Sequence, residues 1–75
     1  MRFLENGCRV RHFKGMEYTF LCKAMHTETG EVLAVYQAEY GNKTIYARPY
    51  DMFVSEVDRE KYPNVKQRYR FEVID

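Results

Sequence analysis

Between Glu31 and Val54 the chain reads EVLAVYQAEYGNKTIYARPYDMFV, two β-prone runs on either side of Gly41-Asn42. Glycine takes positive φ readily, so Gly-Asn predicts a two-residue type II′ turn between antiparallel strands. That turn sets Tyr40 opposite Lys43, Ala38 opposite Ile45, Tyr36 opposite Ala47 and Ala34 opposite Pro49. Side chains alternate across a strand, so these residues share one largely apolar face. Glu39, Thr44, Gln37, Tyr46, Val35 and Arg48 share the other, which is mixed. Tyr36 is expected inside and Tyr46 in solvent. A slip of one residue exchanges the two faces, and a three-residue Gly-Asn-Lys loop is the competing turn.

The same alternation recurs along the chain. Met1 to Gly7 has no period and reads as a loose arm or the lead into the first strand. Cys8 to His12 and Glu17 to Met25 alternate around a Phe13-Lys14-Gly15-Met16 turn. If Val10 faces Phe20, Cys8 meets Cys22 and His12 meets Tyr18, with Tyr18, Phe20, Cys22 and Ala24 on one face. Thr27-Glu28-Thr29-Gly30 is a polar turn into the third strand, Glu31 to Tyr40. Pro49 has no N–H to donate and should end the ladder. Tyr50 to Val54 predicts a single 3₁₀ turn that drops Met52 and Phe53 onto the open end. Val54 to Val57 reads as a strand remnant and Asp58 to Asn64 as loop, with a short helix from Ser55 to Lys61 as the alternative. Tyr69, Phe71 and Val73 alternate in a last strand, Val65 to Ile74. These short runs predict an all-β fold: a small, strongly bent SH3-like barrel of five or six antiparallel strands with room for one short helical turn. Residues 8–75 form one domain and 1–7 the arm.

Composition narrows the function without naming it. Twelve basic residues against eleven acidic ones leave a net charge of +1, which gives no general signal for nucleic acid or membrane. The first residues, Met1-Arg2-Phe3-Leu4-Glu5-Asn6, have no signal-peptide pattern, and no apolar run is long enough to span a bilayer. A cytoplasmic location with reduced Cys8 and Cys22 is expected. Seven tyrosines and five phenylalanines point to a core of rings with hydroxyls at its margin.

Three groups of residues are candidates for chemistry. Cys8, His12, Cys22 and His26 include two Cys-x₃-His pairs, but residues four apart on a strand lie about 13 Å apart and cannot both reach one metal at about 2.3 Å. No metal and no cofactor is expected. His12, His26 and Glu28, with Tyr18 nearby, offer an acid–base or small-ligand site, though the two histidines flank different turns and no nucleophile sits beside a base. Gln37, Tyr46 and Arg48 form the third group, on the outer face of the hairpin, with Arg11 and Lys23 expected to join them across the sheet. A ring beside a guanidinium suits a protein hot spot or stacked, single-stranded RNA. The plainer reading is a solvated face with an Arg48–Glu39 ion pair. Lys66, Arg68 and Arg70 read as a charged edge that discourages aggregation. The reading that follows is a non-enzymatic binding module for a protein or RNA partner; self-association is a third role.

Val10-Arg11-His12-Phe13-Lys14-Gly15 with Tyr18, then His26-Thr27-Glu28-Thr29, then Val35-Tyr36-Gln37-Ala38-Glu39-Tyr40-Gly41, Arg48-Pro49 and Met52-Phe53, occur in an order and spacing that resembles a bacterial family, domain of unknown function 1653. The resemblance spans roughly residues 8 to 57. That pattern usually has Trp where this chain has Tyr46, and often Leu where it has Tyr50. The resemblance implies a compact β domain and a bacterial source. It brings no activity, cofactor or site residue.

Overall fold

Five antiparallel strands and one short helix make up the computed structural model, which describes residues 4–74. The strands are β1 (Arg9–His12), β2 (Glu17–Met25), β3 (Val32–Ala38), β4 (Ile45–Pro49) and β5 (Phe71–Val73), with α1 (Tyr50–Phe53) between the last two. They form one sheet in the order β4-β3-β2-β1-β5. No ladder joins β4 to β5, so the sheet is open and not a closed barrel.

The sheet is nevertheless strongly curled. In a flat sheet β3 and β5 would lie about 14 Å apart, and β4 and β5 about 19 Å apart. Yet the Tyr36 ring on β3 is 5.5 Å from the Phe71 ring on β5, and the Arg48 guanidinium on β4 is 5.7 Å from that same ring. Only a sheet bent around its concave face brings its two edges so close.

The core fills that concave face. Val10, Tyr18, Phe20, Ala34, Tyr36, Ala38 and Phe71 point into it, and Leu4, Tyr50 and Phe53 cover it. Phe53 stacks on Phe71 with centroids 4.1 Å apart and planes at 14°. The four-residue α1 has no side-chain cap and is far too short to persist alone. Burial of Tyr50 and Phe53 holds it in place. The expected helical turn after Pro49 thus exists, but as an α-helix over 50–53 and not a 3₁₀ turn; Phe53 is buried as expected, while Met52 is half exposed and Tyr50 takes its inward place. Because Leu4 is buried and Gly7 N–H donates to Phe20 O at 2.7 Å, residues 4–7 lead into β1. Residues 1–3 of the expected arm lie outside the described residues.

Two registers differ from expectation. Around Gly41-Asn42 the turn closes as predicted, with Gly41 at φ 57° and Lys43 N–H donating to Tyr40 O at 3.1 Å. Lys43, however, is itself left-handed, at φ 56°. Between the turn bond Tyr40–Lys43 and the first ladder bond Ala38–Thr44 the β3 arm has one residue, Glu39, and the β4 arm none, so the strands pair one position over: Gln37 with Ile45, Tyr36 with Tyr46, Val35 with Ala47, Ala34 with Arg48 and Leu33 with Pro49. In β2 a bulge at Leu21 separates Phe20, opposite Tyr36, from Cys22, opposite Val35. One extra residue reverses the faces beyond it, so Cys22 and Ala24 leave the concave face and Lys23 joins it. At the β1–β2 turn Val10 pairs with Tyr18, two positions from the expected register, and the faces are kept. Gly15 has the expected positive φ, at 104°.

The β3–β4 ladder ends at Pro49, as expected, with Leu33 opposite it. After α1, Glu56 bridges Tyr69 and Ser55 O accepts from Arg70 N–H at 2.9 Å. Residues 54–57 are therefore the expected strand remnant and not a helix. The final strand is shorter than expected, with only Phe71–Val73 in the ladder.

Candidate functional site

The slipped hairpin moves Tyr46 and Arg48 onto the concave face, beside Tyr36 and Ala34. Gln37 stays on the convex face, opposite Ile45, where its amide donates to Lys43 O at 3.0 Å. The expected Gln37–Tyr46–Arg48 patch is therefore divided between two faces. Tyr46 is in solvent as expected, at 41% exposure against 6% for Tyr36. It owes this to its place on an edge strand and not to an opposite face.

Arg11 is also convex. It pairs with Glu17 at 3.2 Å, and Arg9 reaches Glu17 at 3.6 Å and Glu39 at 3.8 Å. Glu39 further accepts from Thr19 and pairs with Lys43. The hydroxyl of Thr19 and then the amine of Lys43 hold its carboxyl below the usual range. The anticipated Arg48–Glu39 pair is absent, since the two lie on opposite faces. Lys23, concave after the bulge, lies over the Tyr50 ring at 4.5 Å.

What gathers on the concave face is a tyrosine cluster. Tyr18 is its hub, with rings of Tyr36, Tyr40 and Tyr46 at 5.3, 5.6 and 6.4 Å, all near perpendicular. Its hydroxyl meets that of Tyr40 at 2.8 Å. Burial, and then this hydrogen bond, push the Tyr18 phenol well above its ordinary value. Burial also raises Tyr36, an effect opposed by the charge of Arg48 and its hydrogen bond to the phenol. Arg48 is half-buried, and among the described residues no carboxylate lies within ion-pair distance of it.

His12 borders the same cluster, its ring 4.9 Å from Phe71. Its Nδ1 accepts from Lys14 N–H at 3.1 Å. Burial first, then the cations Arg48, Lys14 and Arg70, lower its pKa to about 4. The imidazole is neutral at pH 7 and the surroundings are positive. His26 and Glu28 sit in the β2–β3 turn, where His26 Nδ1 accepts from Glu28 N–H at 3.1 Å. His26 lies eight positions beyond Tyr18, just past the far end of β2, about 25 Å along an extended chain. The acid–base group is thus split: His12 and Tyr18 join Tyr46 and Arg48, while His26 and Glu28 lie elsewhere. Tyr40, placed on neither candidate site from sequence, completes the cluster.

Fold and site together define a small domain built on one curled antiparallel sheet, whose concave face carries tyrosines and an arginine with, among the described residues, no carboxylate beside it. The chain belongs to the family described as Protein of unknown function (DUF1653), whose model matches residues 8–73. That match extends past residue 57, where the resemblance read from sequence ended, and takes in β5. Comparison with curated proteins and with solved structures gives no match. Among the described residues, no helix is long and apolar enough to cross a membrane.

Proposed function

We propose that this protein is a small, non-enzymatic binding module of the cytoplasm that recognises a protein or RNA partner through Tyr40, Tyr46 and Arg48 on the concave face. One observation carries the reading: Arg48 is half-buried among rings and, among the described residues, no carboxylate offsets its charge. A cation held in such a place costs free energy unless something pairs with it, and a ligand's anionic group would do so. The rings beside it supply apolar contact area of the kind that dominates interface energetics. We read the curl of the sheet as that of an SH3-like barrel whose β4–β5 seam stays open, with the ligand at that seam.

Replacing Tyr46 and Arg48 together by alanine tests this. The double variant keeps the circular dichroism of the parent and loses its partner in a pull-down. Gln37→Ala and Arg11→Ala, on the convex face, retain it. Unchanged capture by the double variant removes the concave face from consideration. Steep loss of binding with salt marks an RNA partner, because phosphate contacts release counterions.

A further inference from the structure

The β4 edge has a row of outward backbone groups, unoccupied among the described residues, whose phase is fixed by the ladder. Ala38 N–H donates to Thr44 O at 2.9 Å, and no register shift separates that pair from Leu33–Pro49. Hydrogen-bonded and non-bonded pairs alternate in an antiparallel ladder. Tyr46 and Arg48 therefore bond inward to β3, while Ile45 and Ala47 turn their N–H and C=O groups outward. Pro49 is the next outward position, where its missing N–H leaves the ladder to β3 intact.

Natural edge strands are usually blunted by charge, bulges or a covering segment. Ile45-Tyr46-Ala47 has none of these: all three are exposed, Ile45 at 57%, and no charged side chain interrupts them. Arg48 follows directly, on the concave side, with no carboxylate beside it among the described residues.

Resting on the recognition reading above, we propose that the β4 edge accepts an extended segment of another protein as an added strand, with an Asp or Glu of that segment pairing with Arg48. Main-chain bonds to Ile45 and Ala47 give affinity, and side chains alternating over Tyr46 and Arg48 give selectivity. A second copy of this chain fits less well. β4 contains no carboxylate, so two β4 strands paired edge to edge around Ala47 leave both Arg48 charges unmatched. Nucleic acid fits less well too. Tyr18 and Tyr36 direct their rings at one another and at Phe71, and an outward row of amides and carbonyls is the complement of a peptide.

A displayed library of random dodecapeptides, selected against the whole protein, tests the proposal. Selected sequences should alternate β-branched or aromatic residues and share one acidic position. A peptide from that set should lose about tenfold or more in affinity for Arg48→Ala and for Ala47→Pro. Selection against Arg48→Glu should replace the acidic position by Lys or Arg. N-methylation of the peptide at alternate residues should abolish binding in one phase and spare it in the other, a readout that needs no protein variant to fold. Peptides without the acidic position, or indifferent to N-methylation, overturn the proposal, as does a library that selects nothing. Loss with Tyr46→Ala/Arg48→Ala but not with Ala47→Pro discards the edge and keeps the concave face; survival in both discards both. A dimer in light scattering that Ala47→Pro disperses assigns the edge to a second copy, and salt-sensitive binding of random single-stranded RNA decamers at Tyr46 and Arg48 assigns the face to nucleic acid. Either result overturns the peptide proposal.

Discussion

Tyr46 stands directly opposite Tyr36 on the β3–β4 ladder, their rings 5.6 Å apart and 30° from parallel. One is buried and the other rises at the sheet edge. The pair joins core to surface, and the two members should respond differently to truncation. Tyr36→Ala removes a buried ring and should cost about 3–5 kcal/mol. Tyr46→Ala removes a half-exposed one and should cost about 1 kcal/mol. Urea midpoints of the two variants measure the difference, and equal losses would place Tyr46 in the core.

Phe53 is the residue on which the covering segment depends. It is fully buried and stacked on Phe71, while α1 has no cap or length to hold itself. Phe53→Ala should cost about 3–5 kcal/mol, a large share of the stability available to a domain of this size. The expected result is collapse of amide dispersion in a heteronuclear NMR spectrum. A well-dispersed spectrum for the variant would show that the sheet does not need α1.

Lys43 should be replaceable to advantage. A left-handed backbone costs an L-residue about 1–2 kcal/mol and glycine far less. The Lys43–Glu39 pair lost in exchange is exposed and contributes little. Lys43→Gly should raise the thermal midpoint by a few degrees, for a gain of about 0.5–1 kcal/mol. Lys43→Val, with a branched Cβ at that φ, should lower it. The opposite order would mean that the turn is not left-handed at this residue.

His12 should make stability depend on pH. Its pKa in the folded chain is near 4, below the unfolded value of 6.5, so between these values the unfolded chain binds more protons. Its contribution is complete above pH 6.5, falls as the pH drops, and is gone below about 4. Unfolding across that window should take up close to one proton more in the parent than in His12→Gln. Parallel stability curves for the two proteins would show that His12 is solvated in the fold.

The strand pattern was legible because period-two alternation and glycine turns are local signals. β2 has the expected bounds, and Gly15 and Gly41 turn where their conformational freedom is needed. The faces were not fully legible, because two single-residue irregularities carry no signature. Nothing in Phe20-Leu21-Cys22 marks a bulge: there is no glycine and no break in the apolar run. Nothing marks Glu39 either, the one extra residue between the turn and the β3–β4 ladder. Each irregularity reversed a face, and the site changed with it. Tyr46, Arg48, Tyr18 and His12 were all singled out, but as members of two sites; the curl of the sheet makes them neighbours. Tyr40 had no marker, because its role comes from a hydroxyl contact across 22 positions of chain.

Pro49 limits what the exposed edge can do. It occupies an outward-facing place two positions beyond Ala47, where a continuing strand would look for an amide. An incoming segment can therefore register over only a few residues before the pairing stops. The proline thus sets a limit on the length of any added strand, and the edge gives no foothold for the endless stacking from which fibrils grow.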